Sequence, residues 1–413
     1  MAPPLTLTIH RAAHEIGGNC IELALGAERI LLDMGRPLTA PKDARGLLPA
    51  SLDTQRPATI LISHPHQDHY GLLEEAPPTW LVRCGEPTRR LMQITMAITG
   101  RAFSHTTTSW RSGETFSIGP FQITPLLTDH SAFDAHMLLI EAAGKRLLYS
   151  GDFRMHGRKR VLVERMMRTP PPDIDILLME GTNLDSDKPC VTEDDLEERF
   201  RDLFARTKGR VFVAWSAQNV DRTVTLYRAC LKAGRTLVVD LYTAEIMAAL
   251  AEFGRLPAPD WRQVKVVMTR GLRRRADNAF ADGLVRSGQA IGATALQHAA
   301  EPLVIMTRGS LLRDYAAKGV TANADDAWCW SQWNGYLREP DGAFVAQWFN
   351  DAGAAADHIH TSGHASPSDL RAFAGAIAPK YLAPIHGVKW DDEQPGFPPI
   401  LRLRDGETHT VAP

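Results

Sequence analysis

A chain of 413 residues is too long for one ordinary hydrophobic core and implies two domains of about 150–250 residues each. Hydrophobic residues at 44% and charged residues at 23% are ordinary for a soluble globular enzyme, and no apolar run reaches membrane-spanning length. The formal charge of −2 excludes a globally basic nucleic-acid binder, so any such contact must be local.

The five cysteines (Cys20, Cys84, Cys190, Cys230, Cys329) are scattered, odd in number and without a C-x-x-C pair. That argues against a disulfide framework and fits buried thiols in a reducing cytosol. The opening Met-Ala-Pro-Pro-Leu-Thr has no basic segment followed by an apolar one, so a cytoplasmic protein is expected.

Up to about residue 185 short apolar runs alternate with turns: Leu5–Ile9, Cys20–Leu25, Arg29–Asp33, Thr59–Ile62, Phe121–Leu127, Met137–Glu141, Lys145–Ser150 and Ile174–Met179. The second and third of these, and Met137–Glu141 with Lys145–Ser150, are joined by glycine-containing links and predict antiparallel hairpins. Glu86–Thr99 is the clearest helix of this stretch. After residue 190 the texture changes. Thr192 opens a helix with Leu196, Phe200, Leu203 and Phe204 on one face, and Arg210–Ala214 follows as a strand. Asn219 caps a second helix whose Val220, Val224, Tyr227 and Leu231 share a face, stopped by Gly234. Thr236–Asp240 is the next strand and Thr243–Phe253 the next helix, and Leu303–Thr307 extends the series. Strand–helix alternation of this kind predicts a parallel sheet covered by helices. The segment from 320 to 350 carries Trp328, Trp330, Trp333 and Trp348, which favours core packing over base stacking. From Asp357 onward short runs return, now carrying isolated histidines.

The densest chemistry lies at His64-Pro-His66-Gln-Asp68-His69, directly after the apolar run Thr59–Ile62. Neutral imidazoles and carboxylates are what a zinc-class ion prefers. On a continuing strand His64 and His66 would point the same way and share one metal, while the adjacent Asp68 and His69 would diverge toward a second. Other metal-type residues sit where apolar runs end: Asp33, His130, Asp152, Glu180 and, in the tail, His386. Strand-end placement would gather them along one edge of a sheet.

On these residues the chain resembles the metallo-β-lactamase fold: Asp33, His64-x-His66-x-Asp68-His69, His130 and Asp152, with an opening block His14-Glu-Ile-Gly17-Gly18-Asn19-Cys20. Glu180-Gly-Thr-Asn183, Gln218-Asn219-Val-Asp221-Arg222, Ser362-Gly363-His364-Ala365 and Pro384-Ile-His386-Gly387 are similar to the β-CASP nucleases within that fold. The resemblance implies an α/β architecture: an αββα metallo-β-lactamase sandwich with an inserted parallel-sheet β-CASP domain. The implied boundaries are 1–188 and 353–413 for the sandwich and 189–352 for the insertion.

Carried over by position, the resemblance implies a zinc-dependent ribonuclease with two Zn²⁺ per chain, manganese being the alternative. His64, His66 and His130 would bind one ion, and Asp68, His69 and His386 the other, with Asp152 between them. Asp33 would orient ligands, and Asp68, Asp33, Glu180 and His364 form the implied catalytic set. Such a site supplies hydroxide near neutral pH for attack on a phosphodiester. Ser362, His360, Arg154, Arg158 and Lys159 are the expected contacts to RNA and its phosphates. Arg270 and Arg273–Arg275 form a second basic cluster, weighed evenly against a solvated charged face. Single-stranded RNA is the expected partner, no membrane is expected, and a homodimer stays open. The family's DNA-directed branch typically carries valine where His386 stands, so histidine points to RNA. A β-CASP DNA nuclease and a lactamase-fold hydrolase of small esters or thioesters are the alternatives.

Overall fold

The computed structural model describes residues 3–41, 43–102, 104–186 and 190–411. Two compact units emerge: Met1–Met92, Ala102–Cys190 and Gly363–Pro413 form the first, and Gln93–Arg101 with Val191–Ser362 the second. The expected boundary at 188/189 lies outside the described residues, and the return segment, expected from 353, begins at Gly363 by this division.

The first unit is built on two sheets. One runs in the order Thr408–Thr410, Leu5–Arg11, Cys20–Leu25, Glu28–Leu32, Thr59–Leu61, Leu81–Gly85, Thr107–Trp110. The other runs Tyr381–Pro384, Ile176–Met179, Lys145–Tyr149, His136–Ala142, Phe121–Leu127, Phe116–Ile118. Both expected hairpins form, Cys20–Leu25 with Glu28–Leu32 and His136–Ala142 with Lys145–Tyr149. Leu7, Ile9, Leu23 and Ile30 of one sheet pack into a single core with Ile140, Leu147, Ile176 and Leu178 of the other. The alternate residues Leu139, Leu148, Leu177 and Met179 face a second core, closed by Val163 of helix Arg160–Arg168 and by Leu370 and Phe373 of helix Pro367–Ile377. Burial on both faces explains why Ile176–Met179 reads as an unbroken apolar run rather than an alternating one.

Strand direction gathers the candidate residues. Glu28–Leu32 and Thr59–Leu61 are parallel, as are Lys145–Tyr149, Ile176–Met179 and Tyr381–Pro384. Asp33, His64, Asp152, Glu180 and His386 follow the carboxyl ends of these strands, so parallel pairing brings them to common edges.

The second unit is one seven-stranded parallel sheet, ordered Ala290–Gly292, Val264–Met268, Thr236–Asp240, Leu303–Met306, Val211–Ala214, Ala327–Trp330, Ala355–His358. Leu303–Met306 joins this sheet as expected, and its place is between Thr236–Asp240 and Val211–Ala214. Thr192 forms a capping box with Asp195, and Asn219 caps Val220–Ala233, which ends at the left-handed Gly234. Val220 and Tyr227 are buried as expected, but the rest of the buried face differs. Arg222, Thr225, Leu226, Ala229 and Cys230 are buried while Val224 and Leu231 are only half-buried. Arg222 is taken inside by Glu193, which lies 3.1 Å from its Nη2, a partner that helical periodicity cannot reveal. Trp328 and Trp330 are core residues, Trp328 stacking on Phe349 at 5.3 Å, whereas Trp333 is 59% exposed. Cys20, Cys84, Cys230 and Cys329 are buried thiols and Cys190 is half-buried. Among the described residues no helix is long and apolar enough to cross a membrane.

Candidate metal centre

The strand that leads into the histidine run ends at Leu61, so His64 and His66 do not share a pleated face. They converge through a turn, and Asp68 and His69 follow on the short helix Gln67–Tyr70. This helix is seated by backbone bonds: the Asp68 carbonyl accepts from Gly18 and Asn19, both at 3.1 Å, and the His69 carbonyl accepts from Met34 at 2.7 Å. Gly35 has to be glycine here, because a Cβ would lie 1.7 Å from the Asp68 carbonyl oxygen.

Three groups of donor atoms result, within each of which the atoms lie no more than 4.8 Å apart. The first is His64, His66 and His130, where His66 Nδ1 sits 3.2 Å from both His64 Nε2 and His130 Nε2. The second is Asp68, His69, Asp152 and His386, and the third Asp152, Glu180 and His364. Asp152 belongs to two of them. Every residue expected to bind metal is therefore drawn into one cluster.

Four of the imidazoles, His130, His64, His386 and His69, are oriented from behind. His130 Nδ1 faces the Gly363 carbonyl at 2.6 Å, His64 Nδ1 the Ser63 hydroxyl at 3.0 Å, and His386 Nδ1 the Asn19 amide oxygen at 2.7 Å. His69 Nδ1 meets Asp33 Oδ2 at 2.7 Å, and its Nε2 lies 3.1 Å from Asp152 Oδ2. Glu180, fully buried, accepts the Phe153 amide at 3.0 Å and approaches His364 Nδ1 at 2.9 Å.

Burial disfavours charge on these rings. It holds His64 and His130 well below the usual imidazole range, with neighbouring histidines reinforcing it, and it also lowers His386. His66 is brought down to about 4 by burial, against the attraction of Asp68. His69 goes the other way: burial disfavours its charge, but Asp152, Asp33 and Asp68 outweigh burial and raise it well above its ordinary value. Asp152 is held well below the carboxylate range because His386, His69 and His364 overcome the effect of its burial.

The donor set fits divalent zinc-class cations. His386 Nε2 and Asp152 Oδ1 are buried without a hydrogen-bond partner, an arrangement costly for polar atoms unless a cation meets them. Converging neutral ring nitrogens at 3.2 Å, with carboxylates beside them, are nitrogen–oxygen coordination chemistry.

The expected RNA contacts divide differently. Arg154 is wholly buried and pairs with the buried Asp129, whose carboxylate also accepts the Gly157 amide at 2.8 Å. It is a structural cation and not a surface one, contrary to expectation. Arg158 and Lys159 are half-buried, and Lys159 donates to the Ala132 carbonyl at 3.1 Å. His360 and Ser362 belong to the second unit. There burial first, then the Arg222 guanidinium, brings His360 down to about 3, so its ring is neutral. Arg273 of the second basic cluster bonds Asp282 at 2.6 Å, while Arg270, Arg274 and Arg275 are exposed. Ser63 and Tyr149 support the cluster without having stood out in the sequence, and Asn19, part of the opening block Gly17-Gly18-Asn19-Cys20, supports it in a role that the block did not reveal.

A family model described as a beta-lactamase superfamily domain matches residues 28–239. The chain is similar to ribonuclease J of Sinorhizobium meliloti, 23% identical over 385 residues, covering 86% of this chain and 63% of that protein. It is similar to ribonuclease J of Mycobacterium tuberculosis, 24% identical, covering 80% and 58%. The corresponding figures for ribonuclease J of Mycoplasma genitalium are 20%, 90% and 66%. The chain thus spans less than two thirds of the length of these relatives. A crystal structure of a protein of unknown function from Enterococcus faecalis shares the fold, with a TM-score of 0.78 and 20% identity over 98% of this chain and 99% of that one.

Proposed function

The chain belongs to the beta-lactamase superfamily, and from that premise we propose that it is a metal-dependent ribonuclease of the β-CASP type. The observation that carries the reading is the cluster itself, in which His64, His66 and His130 form one group of donors and Asp68, His69 and His386 form a second with Asp152. The ribonuclease J relatives support RNA as substrate, as does histidine at position 386. His64, His66 and His130 would hold one zinc-class ion, and Asp68, His69 and His386 a second, with Asp152 shared. Such ions supply Lewis acidity and a water acidified toward neutral pH.

The chain's own residues do the rest. Asp33 holds His69 and, through Ser63, His64 in fixed orientations. Glu180 grips His364 at Nδ1, which leaves Nε2 to deliver a proton to the departing oxygen of the phosphodiester. Arg158 and Lys159 would steady the RNA backbone, and Ser362 and His360 stay as phosphate contacts on the strength of the resemblance. Arg154 drops out of that set because it is buried. Buried thiols fit work in a reducing cytoplasm.

Matched RNA and DNA oligonucleotides of one sequence, incubated with zinc- or manganese-loaded protein, test the reading. Single-stranded RNA should be cut well and DNA poorly, and chelation should abolish cutting. DNA cleaved as fast as RNA would reassign the enzyme to DNA, and full-rate RNA cleavage by metal-free protein would sink the metal role. An end-labelled RNA bearing a 5′-monophosphate or 5′-triphosphate distinguishes endonucleolytic from 5′-exonucleolytic cutting by its product ladder.

A further inference from the structure

The hydrogen bonds behind the cluster run in one direction. Asp33 is fully buried and accepts four of them: the Ser63 amide on Oδ1 at 2.7 Å, and on Oδ2 the Ser63 hydroxyl at 2.8 Å, His69 Nδ1 at 2.7 Å and the Tyr149 hydroxyl at 2.5 Å. An ionised carboxylate can only accept, so all four partners donate. Tyr149 has a single proton and gives it to Asp33. Toward Asn19 the phenol can therefore only accept, and Asn19 Nδ2 donates to it at 3.0 Å. That decides which way the amide faces. Its oxygen is turned to His386 Nδ1 at 2.7 Å, and an amide oxygen only accepts. His386 must then carry its proton on Nδ1, which leaves Nε2 bare.

We propose that Asn19 and Tyr149 are positioning residues that set the tautomer and ring orientation of His386, so that its Nε2 faces a divalent ion held with Asp68, His69 and Asp152. This rests on the metal reading above. His64 and His69 receive the same instruction by shorter routes, through Ser63 and from Asp33 directly. His386 needs the longer one because it arrives from a distant segment, 367 residues from Asn19, and Asn19 is the sole hydrogen-bond partner of its ring among the described residues. Its backbone is also in the left-handed region at φ +47, with its amide tied to the Ala12 carbonyl at 2.7 Å. Without the phenol the Asn19 amide is free to turn over. Its NH₂ would then face His386 Nδ1, the ring proton would move to Nε2, and the ligand atom would be blocked. Tyr149 thereby controls a histidine with which it shares no hydrogen bond.

Zinc titration of the full-length protein against a chromophoric chelator tests this, using Tyr149→Phe, Asn19→Leu and Asn19→Asp. Wild type should bind two equivalents. Tyr149→Phe and Asn19→Leu should weaken one equivalent by about 10- to 100-fold, the usual scale for losing an outer partner of a ligand, and leave the other unchanged. Asn19→Asp keeps an acceptor for His386 Nδ1 and should hold zinc at least as well as Asn19→Leu. A purely structural role reverses that order, since an added buried carboxylate costs more than an isosteric leucine. Undiminished affinity for both equivalents in Tyr149→Phe and Asn19→Leu, or Asp ranking below Leu, overturns the proposal while leaving the metal reading intact. Wild-type protein that takes up no zinc overturns both. If Asn19→Leu fails to fold, Tyr149→Phe, which loses one oxygen, carries the test.

Discussion

Glu180 grips His364 through both carboxylate oxygens, at 3.1 and 2.9 Å from Nδ1, and is itself inaccessible to solvent. Burial works against charge on His364, yet Glu180 and Asp152 outweigh it and raise the ring to about 9. The loop is held independently, since Asn183 donates to the carbonyls of His364 and Ala365 at 3.0 and 3.2 Å. His364→Ala should therefore fold, keep its metal and bind RNA nearly normally. Its cleavage rate should fall by roughly 10²–10⁴, the usual scale for a lost acid–base group, with the loss in kcat. Single-turnover kinetics beside metal analysis check this. Loss of an ion in this variant would make His364 a ligand.

Gly35 offers a second test, of the scaffold rather than the chemistry. A methyl group there would meet the Asp68 carbonyl oxygen at 1.7 Å and the Asn19 amide nitrogen at 2.7 Å, both backbone atoms. Neither can move without shifting the short helix that bears Asp68 and His69. Gly35→Ala should cost at least the 1–3 kcal/mol typical of overpacking, about the size of a serious core defect. It should also weaken the ion held by Asp68. Denaturant unfolding and zinc titration should move together.

Arg154 and its neighbours should separate cleanly. Arg154→Ala leaves Asp129 buried without its cation, and breaking such a pair typically costs about 3–5 kcal/mol. Its signature is a lowered unfolding midpoint. Arg158→Ala and Lys159→Ala should leave the midpoint nearly unchanged while weakening RNA binding and flattening its dependence on salt. Equal stability losses in all three variants would place the whole run in a structural role.

The His360 ring supplies a pH test within the second unit. Its folded-state pKa, about 3, lies below its ordinary value of 6.5 because burial, then Arg222 and His358, disfavour the charged form. The neutral ring's contribution to stability is thus complete above about 6.5 and is lost as pH falls from there toward 3. The loss cannot exceed about 1.4 kcal/mol per pH unit. Wild type should lose more stability between pH 7 and pH 5 than His360→Asn does, read from urea midpoints at the two values. Parallel loss in both proteins would show that His360 is not the titrating group.

Local chemistry made much of this protein legible in advance. An apolar run followed by His64, His66, Asp68 and His69 announces a candidate metal site, because ligand type and spacing are properties of neighbouring residues. The caps Thr192 and Asn219 form where side-chain oxygens followed by helical periodicity place them. Strand-end positions of Asp33, Asp152, Glu180 and His386 could be read from apolar runs that stop. What sequence could not specify was pairing between distant segments. The insertion of Leu303–Met306 into the middle of its sheet, the burial of Arg154 against Asp129 and of Arg222 against Glu193, and the turn that brings His64 to His66 all depend on partners that periodicity does not register. The clearest case is the path from Asp33 through Tyr149 and Asn19 to His386. The sequence determined that a histidine stands at 386. Which of its nitrogens is bare was decided only when folding set one carboxylate, one phenol and one amide in a row, because a hydrogen bond's direction is fixed by what each partner can donate in three dimensions.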